Sequence, residues 1–239
     1  MRMKQPRRFL TAEWINLLMF NYAVDSALLE PFVPSGTELD TFDGRTWMSL
    51  IGFEFNRTRV FGMPVPFHRS FEEVNLRFYV RRGSRRGVVF IRELVPRFAV
   101  AAAARFAFGE NYSAVPMAHR LYVQSDGSVE AEYAWGSGAN RCSMRMESGA
   151  QSYLPQEGSF GQFITEHSWG YAAQWDGRCL EYEVQHPRWP IREGKSSDFV
   201  GAAASYYGDQ LAQPLAAPPH SAFFVEGSAV SVFRGTRIH

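Results

Sequence analysis

The run "EWINLLMFNYAV", residues 13–24, limits what this chain can fold into more than any other stretch. Its apolar residues fall on both faces of an extended strand instead of alternating with polar ones, so both faces need cover. An open sheet with one side in water covers only one face. A barrel, or a sheet curled around its own interior and packed on the outside, covers both. The run follows a basic start, "MRMKQPRRFL", in the manner of a signal peptide. Asn16 and Asn21 interrupt it and no small-residue cleavage site follows, so it reads as a buried strand. No other segment reaches membrane-spanning length. A cytoplasmic location without a membrane partner is the expectation.

Turn signals extend the β reading along the chain. Asp43-Gly44, Asp126-Gly127 and Asp176-Gly177 are pairs suited to tight hairpins with positive φ. They are expected to join "SGTELDTF" to "RTWMSLIGFEF", "HRLYVQS" to "SVEAEYAW", and "WGYAAQW" to "RCLEYEV". Gly83 and Gly87 bracket a basic turn, and "SAFFVEG" with "SAVSVFRG" reads as a last hairpin. Helices are few and short. "DSALLEPF" has an Asp25 or Ser26 cap, "PRFAVAAAARFAF" carries Pro96 at its start, and Ser159 caps "FGQFITEH"; a fourth covers "SDFVGAAASYYGDQ". They do not alternate with strands as βαβ units would. The expected class is α+β, mainly antiparallel, with a few short helices outside a curled sheet or barrel, as one domain over residues 1–239.

The 239 residues carry 25 Lys and Arg against 24 Asp and Glu, a near-neutral balance that lacks the electrostatic footprint of a nucleic-acid binder. Arg81, Arg82, Arg85 and Arg86 read as a solvated hairpin tip, since no aromatic platform accompanies them. Lysine occurs only at 4 and 195, the latter in what reads as a polar loop, so reactions needing a lysine amine have two candidates. Cys142 and Cys179 are far apart and read as reduced, structural thiols. GxSxG, P-loop and GxGxxG motifs are missing, and the six histidines show no HxH or HExxH spacing. Neither a cofactor nor a metal is expected.

Three polar groupings remain. In "EEVNLRFYV", Glu73, Asn75, Arg77 and Tyr79 alternate with Val74, Leu76, Phe78 and Val80. The polar side either faces water, as in most antiparallel strands, or lines an interior. Glu73 and Arg77 stand about 13 Å apart along the strand, so they meet only through a ligand or a neighbouring strand. In "ARFAFGENYSAVPM", Arg105, Glu110, Asn111 and Tyr112 gather at a helix exit, with Gly109 as its left-handed cap in the simpler view. In "FITEHSWGY", Glu166, His167, Trp169 and Tyr171 sit at a helix-to-strand junction.

These stretches, with "LLEPFVPSGTELDTFDG" near the start and "VEGSAVSVFRG" at the end, resemble the bacterial family called domain of unknown function 2071, in order along nearly the whole chain. That family is grouped with acetoacetate-decarboxylase-like proteins, which implies a curled antiparallel sheet around an internal, partly apolar cavity. The decarboxylase branch resembles enzymes that form a Schiff base through a lysine of depressed pKa. The corresponding stretch here, "ARFAFGENYSAVPM", contains no lysine, which argues against that chemistry while leaving the cavity. Glu73 matches the cavity carboxylate of that branch.

The resulting expectation is an internal small-molecule pocket, in an enzyme acting on a small carboxylate or carbonyl compound without a Schiff-base lysine. Its candidate residues are Glu73, Asn75, Arg77, Arg105, Asn111, Tyr112, Glu166, His167 and Trp169. Arg77 or Arg105 would hold an anionic group and Glu73 or Glu166 would act as acid, base or orienter, with Trp169 and Tyr112 as apolar wall. The catalytic residue itself is not identified. Two alternatives stay open: a carrier that binds without turnover, and an interaction protein whose outer face or arginine-rich tip meets a partner. A homo-oligomer is also left open.

Overall fold

The structure, a computed structural model, describes residues 7–238. Its strands are β1 (Arg8–Val24), β2 (Glu38–Leu39), β3 (Thr46–Val60), β4 (Met63–Pro64), β5 (Phe71–Arg82), β6 (Arg85–Val95), β7 (Tyr112–Ala114) and β8 (Met117–Val123). They continue as β9 (Val129–Trp135), β10 (Cys142–Ser148), β11 (Trp169–Ala173), β12 (Cys179–Gln185), β13 (Arg192–Gly201), β14 (Ser221–Phe233) and β15 (Thr236–Ile238). The helices are α1 (Ser26–Leu29), α2 (Phe98–Phe108), α3 (Phe160–Thr165), α4 (Ala204–Tyr207) and α5 (Asp209–Leu215).

The sheet runs β15-β12-β11-β6-β5-β3-β1-β14-β13-β10-β9-β8, with β2, β4 and β7 added at β5, β3 and β6. Pairing is antiparallel except where β6 meets β7 and β11. A seam of two residue pairs, Val184–Val232 and Gln185–Ser231, also joins β12 to β14, so the path curls back on itself without forming an even barrel. The far arm, β13 through β8, folds over the outside of the curl.

Two apolar layers result. Leu18, Leu50, Leu76 and Phe78 pack outward against Tyr133 and Met144 of the overlying arm. Leu17, Ile51, Phe53 and Val225 point inward. The both-faced strand β1 supplies each layer by changing parity at Asn16, whose φ of 57° and broken register with β3 form a bulge. Trp14 and Leu17 therefore both face inward, while Leu18, Phe20 and Tyr22 face out. Asparagine tolerates the left-handed backbone there, and its side chain donates to Glu54 at 2.8 Å. Helix α3 is turned inward, with Phe163 and Ile164 in the inner core; Leu29 of α1 and Leu211 of α5 pack outside.

Local signals account for many boundaries. Asp25 accepts from the Ala27 amide at 2.9 Å and Ser159 from the Gln162 amide at 3.3 Å, and Gly109 ends α2 at φ 71°. The turns at 126–127 and 176–177 join β8 to β9 and β11 to β12. Four readings change. The helix expected over residues 197–210 starts only at Ala204, because residues 197–201 pair with β10 as the end of β13. Residues 38–39 pair with β5 and not with β3, although Phe42 and Arg45 bridge across the Asp43-Gly44 turn. The expected last hairpin is one continuous strand, β14, because Gly227 at φ 90° absorbs a bend where a Cβ would lie 1.9 Å from the Trp14 carbonyl. The stretch around Lys195, read as a loop, lies in β13, where its backbone pairs with β10.

Gly52 lets Tyr133 lie directly on β3, since a Cβ there would sit 2.7 Å from the ring. Gly52→Ala should cost about 1–3 kcal/mol, read as a lower urea midpoint with unchanged m value.

Candidate functional site

Along β5, Val74, Leu76, Phe78 and Val80 are fully buried in the outer layer. Alternation therefore sends Glu73, Asn75, Arg77 and Tyr79 into the curl. Glu73, Asn75 and Arg77 line an internal hollow of about 340 Å³, along with Tyr112, His167 and Trp169. Tyr79 is engaged elsewhere: its hydroxyl meets Ser49 Oγ at 2.6 Å, in a buried chain continuing to Asn21 and Ser221.

The hollow holds three carboxyls. Glu73 is 2 % exposed and Glu93 1 %, and Glu110 is buried beside them. Register explains the placement, because Asn75 pairs with Glu93, and Glu93 pairs with Tyr112 on the other side. Glu93 points inward only because β6 is irregular: Leu76 faces Arg92 but Arg77 faces Phe90, so parity changes between them. Glu110 lies in the short link from α2 to β7.

Glu93 and Glu110 are hydrogen-bonded to each other, and the other partners of these acids are neutral. Asn75 donates to Glu73 at 3.0 Å, Tyr112 donates to the other Glu73 oxygen at 3.2 Å, and Tyr182 donates to Glu110. Tyr182 reaches Glu110 by lying across Gly170, where a Cβ would be 2.1 Å from its ring. Burial pushes the Glu73 carboxyl up to about 8, with the negative charge of Glu110 adding to it. Burial likewise raises Glu110 to about 7, and burial with the charges of Glu110 and Glu73 holds Glu93 well above the usual range. Glu93 Oε2 and Asn75 Oδ1 have no hydrogen-bond partner.

Opposite charge is available at one side. Arg77 donates to the Ile164 carbonyl at 3.1 Å, while its Nε has no partner. His167 is 7 % exposed and neither ring nitrogen is hydrogen-bonded; Nε2 is 3.8 Å from Asp40, beyond hydrogen-bond range. Burial, helped by the charges of Arg77 and Arg86, lowers its pKa to about 4, so the ring is neutral. Aromatic rings form the remaining wall: Trp14 packs on Phe53 and Phe55, and Phe55 stacks on Phe71 at 4.7 Å.

Three sequence candidates do not line the hollow. Arg105 is exposed and donates to the Tyr112 carbonyl at 2.6 Å. Asn111 is exposed and receives Arg92 at 2.8 Å. Glu166 is tied to Arg188 and Gln162. Conversely, Glu93, Tyr182 and His186 line it without a local sequence signal, and Glu110 does so from a link that read as a helix exit. Lys195 is exposed, 3.9 Å from Glu147; Lys4 lies outside the described residues. Among the described residues no group of three or more His, Cys, Asp or Glu is placed to hold a metal ion, and no helix is long and apolar enough to cross a membrane. The arginine tip is internally paired, Arg82 and Arg85 with Glu181, Arg86 with Asp40, and Arg81 with Glu38.

Residues 11–229 match the sequence pattern of domain of unknown function 2071, a family described as an uncharacterized conserved protein. The chain belongs to this family. The uncharacterized protein YqjF of Bacillus subtilis (strain 168) is 38% identical over 78 residues, which is 32% of either chain. The match therefore spans about a third of that relative. Among solved structures, an acetoacetate decarboxylase-like enzyme from Sphingomonas wittichii RW1 superposes with a TM-score of 0.71 at 12% identity, covering 100% of this chain and 98% of that one. The enduracididine biosynthesis enzyme MppR complexed with pyruvate gives 0.67 at 15% identity, with 98% and 91% covered. Acetoacetate decarboxylase from Legionella pneumophila gives 0.62 at 13%, with 98% and 88% covered. At these identities the likeness is one of fold: the curled sheet is the fold of the acetoacetate decarboxylase-like enzymes.

The raised carboxyls link stability to pH. Glu73 keeps its proton in the fold up to about 8, whereas in the unfolded chain it loses it near 4.5. Between those values the folded state binds more protons, so this contribution is complete below about 4.5 and is lost as pH rises toward 8. Urea denaturation between pH 5 and 8 should show Glu73→Gln flattening the decline, by at most about 1.4 kcal/mol per pH unit. An unchanged slope would mean that Glu73 is already ionised at neutral pH.

Proposed function

We propose that the hollow is a pocket for a small carbonyl or carboxylate compound and that its acids move protons on that compound, with no Schiff-base lysine. The observation carrying this reading is the meeting of Glu73, Glu93 and Glu110 in one buried volume where, among the described residues, no cation is bonded to them. Acids whose pKa values lie near or above neutrality offer both a proton donor and a proton acceptor at pH 7, the condition for general acid–base catalysis. The fold neighbour captured with pyruvate supports a ligand of this kind.

The chemistry that fits is enolisation. One ionised carboxylate of the cluster takes the proton from the carbon beside the ligand carbonyl. The C–H pair becomes the new C=C bond, the carbonyl π pair moves to oxygen, and a second, neutral carboxyl protonates that oxygen. No oxidant or cofactor enters the balance. Arg77, with its free Nε, would hold a carboxylate on the ligand, and His167, neutral at the wall, would accept or donate one hydrogen bond without competing as a cation.

The test is solvent deuterium exchange at the carbon beside the carbonyl of 2-oxobutyrate, followed by proton NMR. The wild type should accelerate exchange and Glu73→Gln should lower the rate at least about 100-fold with thermal stability retained. Ligand-dependent stabilisation without faster exchange would favour the non-catalytic carrier, and the absence of both would overturn the reading.

A further inference from the structure

The carboxyl cluster occupies only one end of the hollow. Along β3 and β5 the register pairs Ile51 with Asn75, Phe53 with Glu73, and Phe55 with Phe71. Moving away from Arg77, the inward side chains thus pass from polar to aromatic within two residues, about 7 Å. Beyond Phe71 the lining consists of Val60, Val65, Pro66 and His68 from the β3–β4 hairpin and the loop after it, faced by Ala99 and Val100 of α2. Pro66 and Ala99 are the lining residues exposed to solvent, so the hollow opens between this hairpin and the first turn of α2.

The rim is apolar as well. Phe61, Met63 and Phe67 on the hairpin side are 59%, 68% and 93% exposed, and Phe98, next to Ala99, is 76% exposed. Single exposed hydrophobic residues are ordinary; Phe67 follows Pro66 and Phe98 precedes Ala99, the two residues at which the hollow opens, so apolar surface adjoins the opening on both sides in the chain. The volume, about 340 Å³, lies at the low end of pockets for drug-sized ligands. At about 30 Å³ per water-sized group it has room for on the order of ten such groups, more than a three- or four-carbon acid fills.

On the reading given under Proposed function, we propose that the physiological ligand is an elongated, amphipathic carbonyl or carboxylate compound. Its polar end lies among Glu73, Asn75 and Arg77, and an apolar body runs past Phe53, Phe55 and Phe71 toward the opening at Pro66 and Ala99. The unpartnered Asn75 Oδ1 and the free ring nitrogens of His167, both on buried side chains lining the polar end, provide the head-group contacts. The aromatic wall gains nothing from a short acid and contributes in proportion to the apolar surface it removes from water.

Isothermal titration with unbranched 2-oxo acids of four, five, six and eight carbons tests this. The dissociation constant should fall about fourfold for each added methylene until the hollow is filled. Phe71→Ala should weaken the eight-carbon member at least about tenfold and the four-carbon member by less than about threefold. Since Phe71 is buried, the surface variant Phe67→Ser with Phe98→Ser serves as a second probe and should weaken only the longest member. Equal affinity across the series would overturn the amphipathic ligand and leave the pocket reading standing. Failure of every member to bind would overturn both.

Discussion

Cover on both faces of the central strands is the constraint from which the other features follow. β1, β3 and β5 are apolar outward, against the overlying arm, and mostly apolar inward, against the interior of the curl. Only a sheet bent around itself and wrapped by its own continuation satisfies both. Once it bends, any polar residue on the inward face is removed from water whatever its chemistry. The inward side of β5 is where the chain places such residues.

Removing carboxyls from water is costly unless they are paired or neutralised. Among the described residues no cation pairs with them; they receive the hydroxyls of Tyr112 and Tyr182 and the amide of Asn75. The acids consequently hold protons to higher pH, a cost to stability in neutral solution that a purely structural interior would avoid by using leucine. The tip arginines, by contrast, are absorbed by Glu181, Asp40 and Glu38, which makes them part of the scaffold. The charge of Arg86 also lowers the His167 pKa, while Asp40, its ion-pair partner, pulls the other way; burial decides the outcome and keeps the ring neutral.

Much of the scaffold was legible because it rests on local rules. Aspartate-glycine pairs, the Asp25 and Ser159 caps and the period-two pattern of β5 each act within a few residues. The family resemblance, covering most of the chain, agreed with them. The misreadings have local causes too. A glycine inside an apolar run reads as a turn, yet Gly227 serves a bend against Trp14. A polar stretch reads as a loop, yet the backbone of β13 is held by β10.

The sequence by itself determined the strand-rich class, the need for cover on both faces, the polar stripe Glu73-Asn75-Arg77, and the restriction of lysine to positions 4 and 195. Tertiary structure decided which acids share the hollow. Simple alternation in "VVFIREL" sets Glu93 on the face of Val89 and Ile91, and only the bulge opposite Leu76 and Arg77 turns it inward. Glu110 comes from a link, and Tyr182 arrives from β12 across a glycine of its neighbour. Arg105, Asn111 and Glu166 carry the right chemistry near the right elements but spend it on the Tyr112 carbonyl, Arg92 and Arg188. Side-chain direction at a bulge or in a link is set by partners distant in sequence, and no local pattern encodes it.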